Sequence, residues 1–309
     1  MIIKPRIESL ELKLMRSLHR RMDFSEKEKS HYINLEKGYK GELLFDSWLE
    51  RKLFNERLIL NDLLLESNNT VFQIDSLVIT SETTFLFEVK NFEGDFHLEA
   101  DRFYTHLKKE ISNPLLQLER SESLLRRLFQ EHGFNPAIKA YVVFVNPEFF
   151  LYRTPLNLPI IFPTQLNRFL SNMNTKSSFM KEGHSKLAEK LVAIQKDESP
   201  YKRLPRFSYE QLEKGVICKF CYSFIFERNG SKVICHKCGK TENMNEAILR
   251  TVEEYMLLFP NRRITSRDIY EWCKGIRSKS TFIRLLNGHY TPHGNGRASF
   301  YVKTQTNDD

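Results

Sequence analysis

VFQIDSLVIT at residues 71–80 and TTFLFEVK at residues 83–90 are the two stretches that decide the fold. Both are rich in β-branched and apolar residues, and the polar pair Ser81-Glu82 separates them. This pattern predicts two neighbouring buried β-strands joined by a short turn. Their apolar runs are interrupted by ionisable residues, which are costly to bury without a purpose.

The ionisable residues are Asp75 on the first predicted strand and Glu88 and Lys90 on the second. Side chains at positions i and i+2 of a strand share a face, so Glu88 and Lys90 point the same way. Carboxylates bind hard cations such as Mg²⁺, and a lysine beside them can orient a water or neutralise an oxyanion. These residue types suit metal-dependent phosphodiester cleavage. An ordinary ion pair between Glu88 and Lys90 is the alternative.

The surrounding sequence resembles a known family. Its blocks are Gly38-Tyr39-Lys40-Gly41-Glu42, Gln73-Ile74-Asp75-Ser76-Leu77-Val78-Ile79, Glu88-Val89-Lys90-Asn91 and Asn113-Pro114-Leu115-Leu116-Gln117. Over roughly residues 30–150 these blocks resemble NERD, the nuclease-related domain of the PD-(D/E)XK nuclease superfamily. The resemblance implies a restriction-endonuclease-like α/β fold, with a mixed sheet flanked by helices.

The resemblance also implies roles for individual residues. Asp75 and Glu88 would be ligands of Mg²⁺ or Mn²⁺, and Glu42 a third acid approaching the same cation. Lys90 would be the catalytic lysine, and Gln117 a polar site residue on a flanking helix. Each of two residues also has a non-functional explanation. Glu42 lies in the first turn of a predicted helix over residues 36–56, where the helix dipole alone favours an acid. Gln117 could be a solvated residue of the helix that starts at Pro114.

Four cysteines are spaced as Cys218-x₂-Cys221-x₁₃-Cys235-x₂-Cys238, and Asn229-Gly230 between them predicts a hairpin. Two such pairs present four thiolates tetrahedrally, which Zn²⁺ favours with no open position. The spacing predicts a zinc ribbon with a structural Zn²⁺. Disulfides or free buried cysteines are the alternatives, and the lone Cys273 is predicted to be a core residue.

The C-terminal third predicts three helices, at residues 244–259, 265–273 and 278–287, followed by a hairpin. This order resembles a winged helix, in which Lys279, Ser280 and Arg284 would face a nucleic-acid groove and Arg297 would lie on the wing. Residues 201–309 hold 19 Lys and Arg against 11 Asp and Glu, which accounts for the whole net charge of +8. A basic patch of this kind indicates binding to a polyanion, although a solvated basic face is common.

The predicted domains are a helical extension at residues 1–30, the nuclease-like domain at 31–172, a helix and linker at 173–207, the zinc ribbon at 208–242 and the winged-helix-like segment at 243–309. We find neither an apolar run long enough to span a bilayer nor a signal-peptide pattern, so a cytoplasmic protein without membrane contacts is expected. Two functions fit: a Mg²⁺-dependent nuclease that hydrolyses DNA, or RNA, and a catalytically inactive DNA-binding or interaction protein that uses the nuclease fold as a scaffold.

Overall fold

The computed structural model describes residues 1–54, 56–174, 179–225, 227–294, 296 and 299–303. The chain divides into two compact units. The first unit contains residues 1–10 and 33–202, and the second contains residues 11–32 and those from 203 onward. Residues 1–30, predicted as one helical extension, are therefore divided between the two units.

The described residues form eight helices and seventeen strands. The helices are α1 (Leu10–His19), α2 (Glu26–Lys52), α3 (Pro114–Glu131), α4 (Pro163–Asn174), α5 (Glu182–Ile194), α6 (Met244–Leu258), α7 (Ser266–Trp272) and α8 (Lys279–His289). The strands are β1 (Ile2–Lys4), β2 (Leu58–Ser67), β3 (Thr70–Ile79), β4 (Thr84–Lys90), β5 (Gly94–Glu99), β6 (Arg102–Thr105), β7 (Glu110–Ile111), β8 (Ile138–Phe144), β9 (Phe149–Tyr152), β10 (Ile160–Ile161), β11 (Val216–Ile217), β12 (Phe224–Ile225), β13 (Glu227–Asn229), β14 (Lys232–Ile234), β15 (Thr241–Asn243), β16 (Tyr290–His293) and β17 (Phe300–Lys303).

The first unit is built on a six-stranded mixed sheet in the order β1-β2-β3-β4-β8-β10. Strands β2, β3 and β4 are antiparallel neighbours, whereas β1, β8 and β10 pair in parallel with β2, β4 and β8. Helix α3 lies in the connection from β4 to β8, as a parallel crossover requires. The mixed α/β fold predicted from the sequence is confirmed.

Both faces of this sheet are buried. Helices α3 and α5 and a smaller sheet, β7-β6-β5-β9, contribute to the core on one face. Helices α2 and α4 contribute to the core on the other, where Phe45 of α2 contacts Phe87 of β4 edge to face. Burial on both faces explains the nearly continuous apolar sequence of β3, β4 and β8.

Side chains along β2 and β3 alternate between the two faces of the sheet, but each strand has one irregular position. The two irregular positions are opposite each other, between the pairs Asn61–Ser76 and Leu63–Ile74. Leu60 and Leu63 share one core face although they are three positions apart, an odd spacing that should place them on opposite faces, and the same holds for Ile74 and Leu77. Asp62, between Leu60 and Leu63, has the left-handed φ of 55°, which is uncommon for a residue with a side chain. Such an irregularity changes the direction in which the neighbouring side chains point, while the pairing of β2 with β3 continues on both sides of it. Here it occurs at Asp75.

Three parts of the sequence prediction differ from the structure. Strand β2 was not predicted, because the polar pair Asn61-Asp62 interrupts its apolar run. Residues 2–4 form an edge strand rather than part of a helix. In the proline-bounded segment 155–163, which predicts a strand, only Ile160 and Ile161 pair with the sheet, because proline cannot donate a ladder hydrogen bond.

The second unit contains the cysteine region and the C-terminal helices. Strands β13, β14 and β15 form an antiparallel sheet, and the predicted hairpin joins the first two. Its turn is Gly230-Ser231, one residue later than the predicted Asn229-Gly230, because Asn229 ends β13 and pairs with Lys232. Helices α6, α7 and α8 are followed by the antiparallel pair β16 and β17, and Ile264 makes an additional bridge to Tyr301. The predicted order of three helices and a hairpin is therefore present.

In the part of the chain that the structure describes, no helix is both long enough and apolar enough to cross a bilayer.

Candidate active site

Asp75, Glu88 and Lys90 meet where β3 and β4 separate. The paired register between the two strands ends at Ser76 and Phe87. Beyond that point the Asp75 carboxylate accepts a hydrogen bond of 2.7 Å from the backbone N–H of Val89. The side chain thus takes the place of the next ladder bond. This arrangement fixes one oxygen of Asp75 beside β4, which carries Glu88 and Lys90 and is called the site strand below.

Lys90 connects the site strand to helix α3. Its Nζ donates to Glu88 Oε1 at 2.6 Å and to Gln117 Oε1 at 3.0 Å. Glu88 is only 2% exposed, whereas the Lys90 side chain is 20% exposed. The structure therefore brings Gln117 to the site. The ion pair that the sequence offered as an alternative exists, but it belongs to a larger group of polar side chains.

Glu42 lies in the interior of α2, because this helix begins at Glu26 rather than near residue 36. The favourable charge of a first helical turn therefore does not explain it. Gly41 lets the helix approach closely: a Cβ atom at this position would lie 2.5 Å from Cβ of Asn91, the residue after β4. Asn91 also donates a hydrogen bond of 2.8 Å to the carbonyl of Lys37. The helix is thus held against the end of the site strand.

Arg6 reaches the same region from the N-terminal segment. It donates to Glu42 Oε2 at 2.8 Å, and its fork binds both oxygens of Asp46 at 2.8 and 3.0 Å. It also donates to the backbone carbonyl of Asp75 at 2.7 Å. Its side chain is 2% exposed. Nothing in the sequence prediction assigned a role to Arg6 or Asp46.

Lys4 and Asp62 complete the surroundings. Lys4 Nζ donates to the carbonyls of Asn61 and Asp62, both at 2.7 Å. The Asp62 carboxylate accepts a hydrogen bond of 2.7 Å from the Gln73 side chain. We call Glu42, Asp46, Asp62, Asp75 and Glu88, together with Lys4, Arg6 and Lys90, the acid cluster.

Burial and the charges of neighbouring carboxylates disfavour the ionised forms of Glu42, Asp62, Asp75 and Glu88. Burial, followed by the charge of Asp75, raises the pKa of Glu42 and of Glu88 to about 8. Burial likewise raises the pKa of Asp75 and of Asp62. Groups of carboxylates with raised pKa values are more frequent at functional sites than elsewhere in proteins. A bound cation would reverse this repulsion.

Lys90 behaves in the opposite way. Burial disfavours its charged form, but the nearby Glu88 and Asp75 outweigh burial and raise its pKa. Lys90 therefore remains an ammonium at neutral pH and has no lone pair with which to remove a proton. It can donate hydrogen bonds and neutralise negative charge.

Comparison with known families places this geometry in context. Residues 37–145 match the family model of NERD, the nuclease-related domain. No match was found among curated proteins or among solved structures. The resemblance predicted from the sequence is confirmed for this segment. The NERD segment contains Glu42, Asp75, Glu88, Lys90 and Gln117, whereas Lys4 and Arg6 precede it.

The four predicted zinc ligands also come together. Cys218, Cys221, Cys235 and Cys238 are the one group of three or more metal-ligating side chains in the described residues whose ligand atoms all lie within 4.8 Å of one another. Each pair is closed by the same turn, in which the residue after the second cysteine has a positive φ: Tyr222 at 60° and Gly239 at 67°. The N–H of each donates back to the carbonyl of the first cysteine. This tetrad fits Zn²⁺ in a zinc ribbon.

The predicted nucleic-acid residues lie on α8. Lys279, Ser280 and Arg284 are all exposed, as such a role requires. Lys279 also lies 5.3 Å from the ring centroid of Tyr270. Arg297, which the sequence predicts to lie on the wing, is outside the described residues.

Sequence reasoning missed Lys4, Arg6, Asp46 and Asp62. A signal existed for Asp62, since Asn61-Asp62 interrupts an otherwise apolar run and such an interruption is typical of a bulge. Asp46 lies one helical turn after Glu42, a spacing that places both side chains on one face of α2. For Lys4 and Arg6 no local pattern points to the site, because their contacts are more than 30 residues away in sequence.

Proposed function

We propose that this protein is a metal-dependent nuclease that hydrolyses phosphodiester bonds of DNA. One observation carries the proposal: Asp75, Glu88 and Lys90 of the NERD segment lie together at the end of the site strand, and Glu42 is near enough for the charge of Asp75 to raise its pKa. A charged lysine next to buried carboxylates is the combination that cleavage of a phosphate diester needs.

The acids suit a divalent cation. Hard cations prefer carboxylate oxygens, and burial, the main cause of the raised pKa of Glu42, Asp75 and Glu88, makes their ionised forms costly without a cation. These three residues would hold Mg²⁺ or Mn²⁺. Such a cation, when bound, stabilises charge on the phosphate and makes a water easier to deprotonate.

The remaining residues would orient the reaction. Lys90 stays protonated, so it can direct a hydrogen bond to the attacking water or to a phosphate oxygen. Gln117 accepts from Lys90 and so limits the directions in which the ammonium can point. Asp75, held by the Val89 N–H, keeps its carboxylate in one orientation.

The second unit would contribute nucleic-acid affinity. The net positive charge of residues 201–309 and the exposed Lys279 and Arg284 support contact with phosphates. We propose that the cysteine tetrad binds a structural Zn²⁺, which closes the small sheet and carries out no chemistry.

The rival function is a DNA-binding or interaction protein without catalysis. It is favoured by the direct ion pair between Lys90 and Glu88, which could serve stability alone. RNA is a further substrate compatible with the same residues, because the site contacts proposed here involve the phosphate.

The test is a comparison of binding and cutting. Wild type, Asp75→Ala and Lys90→Ala are incubated with single-stranded, double-stranded and branched DNA and with RNA, in Mg²⁺ or Mn²⁺. We expect the wild type to cut DNA, and both variants to bind it with wild-type affinity without cutting. Equal cutting by all three proteins would refute the site, and a wild type that binds but never cuts would favour the rival. A wild type that cuts RNA alone would change the substrate to RNA.

A further inference from the structure

Arg6 is the cation that joins the helix and the sheet of the acid cluster, and it lies outside the NERD segment. On α2 it binds Glu42 and Asp46, which are one helical turn apart. On β3 it donates to the carbonyl of Asp75 at 2.7 Å and to Ser76 Oγ at 3.2 Å. A single planar group therefore fixes the distance between Glu42 and the strand that carries Asp75.

The donors of Arg6 are largely used by the protein itself. Its Nε–H and the N–H groups on Nη2 bind Asp46, Asp75 and Ser76, and Nη1 binds Glu42. A guanidinium has five N–H donors in a rigid fork, so little capacity is left for a substrate phosphate. This points to a role in holding other residues rather than in binding nucleic acid.

The N-terminal segment is itself anchored beside the cluster. Strand β1 pairs in parallel with β2, so that Lys4 lies opposite Leu60. Lys4 then binds the two carbonyls around the left-handed Asp62, two residues before Arg6 enters the cluster. The pairing of β1 with β2 and the hydrogen bonds of Lys4 therefore limit the movement of the backbone that carries Arg6.

The charges of the acid cluster are consistent with one added cation. Its five carboxylates and three cationic side chains leave two uncompensated negative charges when all are ionised, which equals the charge of one divalent cation. Without Arg6 this balance would be lost, because Glu42 and Asp46 would lose the cation that binds both of them.

We infer that Arg6 is a positioning residue that holds Glu42 against β3, in the place from which this carboxylate joins Asp75 and Glu88 around a divalent cation. The inference rests on the proposed function in so far as that function requires the cation. It adds to the site a residue from a segment that the NERD match does not include.

The experiment measures Mn²⁺ binding to the full-length, zinc-loaded protein by electron paramagnetic resonance, without nucleic acid. The variants are Arg6→Gln, Arg6→Lys, Glu42→Gln and the double variant Arg6→Gln/Glu42→Gln. The control is Arg57→Gln, which removes a buried arginine of the same unit that donates to the carbonyl of Met173. Thermal melting of every variant reports its folding.

We expect Arg6→Gln to weaken Mn²⁺ binding by about 10- to 100-fold, the usual cost of removing a partner that orients a metal ligand. Arg6→Lys keeps the charge but loses the fork, so its Kd should fall between those of wild type and Arg6→Gln. In the Glu42→Gln background, Arg6→Gln should have little further effect, because the two residues act through one contact. Arg57→Gln should keep the wild-type Kd even if its melting temperature falls.

Three results would overturn the inference. The first is that the wild type binds no Mn²⁺, and the second is that Arg6→Gln has the wild-type Kd for Mn²⁺. The third is that Arg6→Gln weakens Mn²⁺ binding by the same factor in the wild type and in Glu42→Gln. If Arg6→Gln does not fold, the same cycle is run with Arg6→Lys. A wild type that binds Mn²⁺ in this pattern but cuts no nucleic acid contradicts the proposed function alone. A wild type that cuts, but whose Mn²⁺ binding ignores Arg6, contradicts this inference alone.

Discussion

The acid cluster and the cysteine tetrad differ in how their ligands are held. In the tetrad, four thiols lie within 4.8 Å of one another, and two identical turns fix them with backbone hydrogen bonds. In the acid cluster, Glu42 and Glu88 are each bound to a cationic side chain instead. The first arrangement would enclose a metal completely, whereas the second balances charge partly and leaves carboxylate oxygens for a ligand. This contrast underlies the proposal of a structural role for the tetrad and a catalytic role for the acid cluster.

The largest expected effect is that of removing one cysteine of the tetrad, which tests whether the tetrad and the acid cluster bind their metals independently. Cys235→Ser should abolish stoichiometric zinc, measured by elemental analysis, and unfold the cysteine region. Structural zinc contributes about 10–16 kcal/mol of apparent binding free energy in zinc-finger peptides, far more than a small module can lose. Mn²⁺ binding at the acid cluster should survive, because all its residues lie in the first unit. The control is Cys273→Ala, which alters a buried cysteine outside the tetrad and should retain zinc. Loss of Mn²⁺ binding in Cys235→Ser would show that the two sites are not independent.

Two glycines of α2 sharpen the claim that the acid cluster depends on a close approach of helix and strand. In Gly41→Ala the new Cβ would meet Cβ of Asn91 at 2.5 Å, so the helix must move away from the site strand. Displacements of about 1 Å can cost about a hundredfold in rate, and we expect a loss of that order in cleavage. Gly38→Ala meets nothing within 4 Å and should gain stability, since alanine is favoured over glycine in helices by about 1 kcal/mol. Equal cleavage by both variants would contradict the packing argument.

The pH dependence of stability tests whether the acids of the cluster are uncompensated. Glu42 and Glu88 have a pKa of about 8 in the folded protein against 4.5 for a free glutamate, so folding favours their protonated forms. Their contribution to stability is present below about pH 4.5 and is lost as the pH rises towards 8. Without Mg²⁺ or Mn²⁺, the melting temperature of wild type should therefore fall, relative to that of Glu42→Gln/Glu88→Gln, across this window. Saturating Mn²⁺ should reduce the difference, because the carboxylates are then already ionised. A difference that does not depend on pH would contradict the raised pKa values.

The smallest expected effect concerns the exposed cations of α8. Lys279→Gln and Arg284→Gln should each lower the slope of log affinity against log salt concentration by about 0.9 for double-stranded DNA, one phosphate contact each. Arg126→Gln is the matched control, because Arg126 is also exposed on a helix but lies in the first unit and pairs with Glu122. If all three variants give the wild-type slope, α8 does not contact DNA.

The sequence predicted the parts of the site that are local in the chain. Glu88 and Lys90 share a face because of strand periodicity, and the Cys-x₂-Cys pairs define their own turns. The sequence predicts that the helix carrying Glu42 begins at residue 36, whereas α2 begins at Glu26. Glu42 is therefore not in a first helical turn, and the helix dipole does not explain its position. Arg6 could not be predicted, because its role follows from the parallel pairing of β1 with β2, and nothing in residues 1–10 encodes that pairing on its own.

The most direct test of the central claim is a titration of Mg²⁺ into zinc-loaded wild type and Glu88→Gln while the cleavage of DNA is followed. Glutamine keeps the shape of Glu88 but removes its charge. We predict that the wild type cuts DNA only once Mg²⁺ is added. Glu88→Gln should retain its zinc and its DNA affinity but should not cut at any Mg²⁺ concentration. Cleavage by wild type with zinc alone, or undiminished cleavage by Glu88→Gln, would contradict it.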